Sequence, residues 1–304
     1  MDPLLRNLIN VHSPSGEELS MKQFILEYAS GHAKSWNQQP EIIKGPDFQD
    51  CVMLAFGKPR TAVFAHMDTT GFTVRYQDQL VPIGSPDVKG GETLVGRDAL
   101  GPIKCQLRLT EDHEIFYDFG RAIQSGTSLT YQPDITYGQP LIHSPYLDNR
   151  VGVFVALKLA ETLQNGVLVF SAWEEHGGGS VPYLIKYLYE NFQIKQALIS
   201  DVTLATDGVK PGEGVVISLR DHNIPRKSFI DRICVLAKNS GIPYQIEVEG
   251  SGSSDGREIQ KSPFPVDWCF IGPSQHRPHS ASETVHEEDV KHAVEMYQYL
   301  LQML

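Results

Sequence analysis

The chain has 304 residues, of which 41% are hydrophobic and 21% charged, an ordinary globular composition that suffices for one large domain or a large domain with a smaller companion. Lys+Arg 26 against Asp+Glu 37 gives a formal net charge of -11, and no basic cluster is dense enough to track a phosphate backbone, so nucleic acid and anionic membranes are not expected partners. No apolar run approaches a membrane span, the N-terminus lacks an export pattern, and the four cysteines are widely spaced without Cys-x-x-Cys; reduced, mostly buried thiols and a cytoplasmic location are the expectation.

In chain order, Asp2 before Pro3 reads as an N-cap with proline in the first turn, and Ser15-Gly-Glu-Glu18 has capping-box spacing ahead of a periodic stretch over 19–28. Two helices are therefore predicted first, followed by strands over 52–56 and 61–65. Between 77 and 141 short β-type pieces alternate with glycine-rich turns and no helical period appears, which predicts a small all-β insert. Residues 1–76 and 142–304 then make up the main domain. Its second part alternates helices over 150–164, 179–191, 226–239 and 287–301 with strands over 167–172, 197–202, 214–219, 244–248 and 266–271. Such alternation predicts an α/β fold with a mixed sheet sandwiched by helices.

In open α/β sheets, ligands gather outside the carboxyl ends of strands, so polar residues that end apolar runs are the candidates. His66 and Asp68 end one run, Glu174 and Glu175 end Gly166-Val-Leu-Val-Phe-Ser-Ala-Trp173, and Asp201 ends another. Asp148 precedes a helix, and His279 follows the strand ending at Ile271. Adjacent carboxylates at a strand end repel each other and lose hydration unless a cation or proton compensates. The set contains carboxylate and imidazole but no thiolate, which suits a hydrolytic divalent metal such as zinc, cobalt or manganese. One carboxylate can bridge two ions, each ion can take a further carboxylate and a His, and a remaining carboxylate is free to act as base on water. His66 and Asp68, two apart on a strand, share a face, so Asp68 can hold the second imidazole nitrogen.

Each element alone also has an ordinary reading. His66-x-Asp68 can be a satisfied polar pair, the glutamate pair a solvated turn, Asp148 an N-cap and Asp201 the start of a turn. His279 competes with His276 and His286. The coincidence of all of them at one edge of a sheet favours the metal reading.

Together with Ser13-Pro-Ser-Gly-Glu-Glu18, Ala65-His-Met-Asp68, Gly71-Phe72, Leu147-Asp-Asn-Arg150, Trp173-Glu-Glu175, Gly177, Ser253-Ser-Asp255, and His279-Ser280 with Glu283, these residues resemble the dinuclear-metal aminopeptidases of the glutamyl, lysyl and tetrahedral type. The resemblance runs the length of the chain. It implies a zinc-peptidase α/β domain interrupted by a small β domain, two divalent metal ions with zinc first among the choices, and a peptide substrate. Carried over by position, it implies Asp148 as the bridging carboxylate, His66 and Asp201 on one ion, Glu175 and His279 on the other, Glu174 as general base, and Asp68 as the partner of His66. The β insert between His66 and Asp148 favours this family over carboxypeptidase and deacylase relatives, which carry their extra domain after Asp201. Two departures stand out. Asn149 occupies a place where the family usually has aspartate, and the insert is shorter than usual, which puts the large self-compartmentalising assembly of many members in question and leaves a homo-oligomer of open size as the expectation.

Three other readings compete with a metallo-aminopeptidase: a di-zinc carboxypeptidase or deacylase, an endoglucanase-type glycosidase, and a catalytically silent scaffold. Glycosidase carboxyls must flank a sugar bond at about 5–9.5 Å, which a chain-adjacent pair set among His and Asp does not suit, and the intact ligand set opposes the scaffold. Asp255 and His222 are candidates for the substrate pocket, with a solvated turn as the ordinary reading for His222.

Overall fold

The computed structural model describes residues 1–138 and 140–304. Its centre is an eight-stranded mixed sheet in the order Glu41–Ile43, Val52–Phe56, Gly166–Ser171, Ala62–His66, Gln196–Ser200, Asp267–Gly272, Val215–Arg220, Tyr244–Val248. The four middle strands, from Gly166–Ser171 to Asp267–Gly272, run parallel. Their carboxyl ends therefore open on one edge, and the loops beyond them carry the polar residues named above.

The strand residues alternate between two cores, as a sheet covered on both faces requires. Val63, Ala65, Leu168, Phe170 and Leu198 join one core, packed by the helices Pro3–Ile9, Leu19–His32, Leu147–Ala160, Lys227–Ser240 and Glu287–Met303. Ala62, Phe64, Val167, Val169 and Ile199 face the other, under Val181–Phe192 and Gly256–Lys261. Helix Leu147–Ala160 is buried on almost all sides. Its Arg150 is fully buried, donating to Met67 O and, at 2.7 Å and 3.1 Å, to Ser13 Oγ and Val11 O.

A six-stranded antiparallel sheet, Leu80–Ile83, Gly71–Val74, Ser128–Tyr131, Thr93–Asp98, Gly101–Leu109, Ile115–Asp118, has its own core around Phe72, Leu94, Leu107 and Leu129. Its strands run in the chain from Gly71 to Tyr131, against the 77–141 expected for a β insert. The expected tail beyond it goes elsewhere: Thr136–Gly138 and Leu141–Ser144 pair in a five-stranded sheet with Glu283–His286, Ser274–His276 and Thr203–Leu204. These strands are two to four residues long and far apart in sequence, too short to give a period-2 pattern.

At the N-terminus Asp2 Oδ1 accepts from Leu4 N at 2.8 Å, as expected of an N-cap. The capping box at Ser15 is not formed. Ser15 Oγ donates instead to Asp68 Oδ2 at 2.6 Å, and Glu18 Oε1 accepts from the amides of Gly16 (2.9 Å) and Trp173 (3.2 Å). A charge-assisted bond to a buried carboxylate outweighs the ordinary cap.

Candidate metal centre

At the open edge of the sheet two groups of ligand atoms share one residue. His66, Asp148 and Asp201 bring an atom each to within 4.8 Å of one another, and so do Asp148, Glu175 and His279. His66 Nε2 lies 3.2 Å from Asp148 Oδ1 and 3.4 Å from Asp201 Oδ2; His279 Nε2 lies 3.5 Å from Asp148 Oδ2 and 3.2 Å from Glu175 Oε2. Asp148 thus turns one oxygen to each group. Tetrahedral ligands about 2.1 Å from a small divalent ion stand roughly 3.4 Å apart, so these separations match the edges of such a polyhedron.

Charge balance points the same way. Asp68, Asp148, Glu174, Glu175, Asp201, Asp255 and Glu283 gather around the two imidazoles, and buried charge must be paired. Burial raises the carboxyl of Glu175 well above its usual range, with the charge of Asp148 adding to the effect. Burial likewise raises Glu174, where His66 opposes the shift and Asp201, Asp255 and Asp68 reinforce it. Asp201 is raised by burial and by Asp148. Burial also disfavours the Asp148 anion, but the imidazoles of His279 and His66 outweigh it and hold that carboxyl low. Burial opposes the His279 cation, yet its bond to Asp148 and the charge of Glu175 push it up to about 10. Glu175 Oε1 is buried without a hydrogen-bond partner among the described residues. An orphaned carboxylate oxygen, two imidazole nitrogens and carboxylates that lack enough positive charge form a donor set compatible with divalent metal binding.

Asp68 has a wider part than the expected tautomer clamp. Its Oδ1 is 3.5 Å from His66 Nδ1, long for a hydrogen bond. Both oxygens also accept the backbone N–H groups of the glutamate turn, Glu174 N at 3.1 Å and Glu175 N at 3.0 Å. Fully buried Asp68 therefore ties the turn after Gly166–Ser171 to the end of Ala62–His66, and fixes Glu174 and Glu175 relative to His66.

Asp148 is not an N-cap: its backbone is non-helical (φ -83, ψ 108), its peptide to Asn149 is cis, and its N–H donates to Glu283 Oε2 at 2.9 Å. Asp201 lies between strands Gln196–Ser200 and Thr203–Leu204, accepting from Val202 N at 2.7 Å through Oδ1, while Ser254 Oγ donates to its Oδ2 at 2.6 Å. His276 is exposed in its strand and His286 accepts from Glu288 N at 3.3 Å at the head of the last helix, which separates both from His279.

The two pocket candidates fall differently. Asp255 is 2% exposed and accepts from Ser171 Oγ. Burial, opposed by His66, pushes it up to about 7. That places it beneath the strand end, unsuited to direct substrate contact. His222 is exposed in the turn after Val215–Arg220, with its amide on Gly252 O at 3.1 Å, the solvated-turn arrangement. Glu283, Ser15 and Ser254 take parts that residue type and spacing alone did not assign. Asn149 is wholly buried, donating from Nδ2 to Ser200 O and accepting Gly152 N at Oδ1, both at 2.8 Å. An amide can do both at once; an ionised aspartate has no proton for Ser200.

The chain is similar to known proteins along most of its length. A profile described as M42 glutamyl aminopeptidase matches residues 114–296. A curated protein of Acetivibrio thermocellus, assigned provisionally as an aminopeptidase, is 23% identical over 97% of each chain. Among solved structures, an aminopeptidase from the archaeon Desulfurococcus kamchatkensis superposes with a TM-score of 0.86 at 22% identity, covering 99% of this chain and 94% of that one. The TET1 peptidase of Pyrococcus horikoshii, described as assembling into a tetrahedron or a large octahedral shell, gives 0.82 at 18% identity over 98% of both. With more than half its length matched by the family profile, the chain belongs to the M42 glutamyl aminopeptidase family and is a peptidase.

Proposed function

We propose that the chain removes N-terminal residues from peptides at a centre of two divalent ions, zinc first among the choices, held by His66 and Asp201 on one side, Glu175 and His279 on the other, and Asp148 between them. The observation that carries this reading is the pair of ligand triads sharing Asp148 through its two oxygens. Bound there, divalent ions supply Lewis-acid activation of water and of the scissile carbonyl.

The protein's own groups do the rest. Glu174 takes the proton of the attacking water at its carboxylate and passes it to the leaving amine, a role that its burial favours by raising its proton affinity. Asp68 holds the Glu174 backbone in place through the two amide bonds, so the base stays fixed relative to its target. The surrounding carboxylates attract the substrate's N-terminal ammonium, which favours an aminopeptidase over a carboxypeptidase that must bind a terminal anion. The sheet from Gly71 to Tyr131 acts as an inserted unit of this enzyme, and the chain assembles as a homo-oligomer. Its four free thiols, three of them buried, suit the reducing cytoplasm.

A panel of aminoacyl p-nitroanilides, N-acetylated counterparts, C-terminally unblocked peptides and β-glucans, each with and without chelator, tests the proposal. Chelator-sensitive hydrolysis confined to substrates with a free α-amine is expected. Chelator-insensitive cleavage of glucan, or full metal occupancy with no hydrolysis of any substrate, refutes it.

A further inference from the structure

The two halves of the centre are supported in different ways. His66 stands at the end of a central strand with its side chain 1% exposed, whereas His279 lies in a loop between two short strands, is 28% exposed, and has a left-handed backbone (φ 59) that a non-glycine residue keeps only when its surroundings hold it. Glu175 likewise sits in a turn.

One short segment touches both of those loops. After strand Leu80–Ile83, Gly84 N donates to His176 Nδ1 at 2.9 Å, and His176 is the residue next to Glu175. Ser85 O lies 3.1 Å and Ser85 Oγ 3.2 Å from His279 Nδ1, and Asp87 N donates to His279 O at 2.9 Å. Tyr131 Oη, from the middle of the six-stranded sheet, donates to Asp87 O at 2.9 Å and anchors the segment. Only glycine allows this approach, because Gly84 has φ +69 and a Cβ there would stand 2.8 Å from Glu175 O and 3.0 Å from Thr70 Cγ2. A proton on His279 Nδ1 directed at the Ser85 carbonyl leaves Nε2 as the lone-pair nitrogen facing Asp148 and Glu175. Among the described residues, the side chains of His66 and Asp201 bond to Asp148, Val202, Ser254 and each other, and to no residue of 84–87.

We propose that residues 84–87 are a strap by which the six-stranded sheet positions the Glu175–His279 half of the centre alone, with Gly84 and His176 as positioning residues. The proposal rests on the ligand assignment above. It makes the affinities of the two halves separable: weakening the strap loosens one ion and leaves the other.

The test is stepwise cobalt(II) binding to metal-stripped protein, read by competition with a chromophoric chelator and by the visible spectrum of the bound ion. Gly84→Ala and His176→Ala are expected to weaken one binding step by about 10–100-fold, the range for loss of a group that orients a ligand, and to leave the other step within about twofold. His176→Asn, whose Oδ1 stands near the place of Nδ1 and accepts from Gly84, restores the weakened step. The exposed His176 variants supply the answer should Gly84→Ala not fold. Glu175→Ala and His66→Ala mark the two steps. Loss of one step in Glu175→Ala, with both steps unchanged or equally weakened in the strap variants, overturns the strap alone. Two intact steps in Glu175→Ala overturn the ligand assignment, and the strap with it.

Discussion

Asn149→Asp is a one-atom exchange at a wholly buried site, and its cost follows from the hydrogen bonds there. Asn149 Nδ2 donates to Ser200 O and Oδ1 accepts from Gly152 N, both at 2.8 Å. An ionised aspartate sets an oxygen against the Ser200 carbonyl, close to Asp148 and Asp201. It either stays charged there, at several kcal/mol, or takes up a proton and keeps both bonds. The protonation route costs about 1.4 kcal/mol for each pH unit above an unfolded value of about 3.9, hence about 1.5 kcal/mol at pH 5 and about 4 kcal/mol at pH 7. The sign follows from the folded-state carboxyl being raised: the bond is fully present below the unfolded value and its contribution is lost as pH rises towards the folded value. Denaturant unfolding of chelator-treated wild type, Asn149→Asp and Asn149→Ala at pH 5 and pH 7 reads this out. The aspartate variant should lose stability with rising pH relative to wild type, and the alanine variant should show a constant deficit. An aspartate variant as stable as wild type at pH 7, or a deficit independent of pH, refutes the hydrogen-bond reasoning.

Glu174→Gln should keep full metal content and lower kcat by about 10²–10⁴-fold, the usual share of a general base; steady-state kinetics beside metal analysis checks this, and a near-wild-type rate contradicts it. Metal uptake by the stripped protein should release protons: burial and the charge of Asp148 raise the carboxyls of Glu175 and Asp201, and at His66, where burial opposes the cation, the charge of Asp201 and the contacts with Asp148, Asp201 and Asp68 outweigh it. Calorimetry in two buffers of different ionisation enthalpy would show it, and identical heats would contradict it. Burial, with the charge of Asp68 contributing, pushes Glu18 up to about 7. The neutral form is thus favoured in the fold, so its contribution is present below about pH 4 and lost as pH rises through 7. Glu18→Gln should accordingly raise the Tm of metal-stripped protein at pH 8 and change it little at pH 4.5; equal shifts at both would count against a buried neutral carboxyl.

The parallel core of the fold was legible because its strands are long enough, five or six residues, to show as apolar runs closed by polar residues. The same runs delivered His66, Asp68, Glu174, Glu175 and Asp201 to one edge. The five-stranded sheet was not legible, since strands such as Thr203–Leu204 carry no period of their own and exist through pairing with distant segments. That sheet also sets His279 apart from His276 and His286, so its absence from the sequence pattern left those three equivalent until the resemblance was drawn. Ser15 and Glu18 misled for a related reason. Capping-box spacing is a local signal, and a buried carboxylate 53 residues away took the hydroxyl. Asp255 drew attention as a polar residue in a glycine-rich loop, but only the structure turns its carboxylate beneath Ser171, away from solvent.

The account turns on Asp148 serving both halves of the centre. Metal content after equilibrium dialysis, measured for wild type, His66→Ala, Glu175→Ala and Asp148→Asn, tests that directly. The account predicts two ions per chain in wild type, one in each of the His66 and Glu175 variants, and loss of both in Asp148→Asn. An Asp148→Asn protein that retains two ions, or a wild type that binds none, contradicts it.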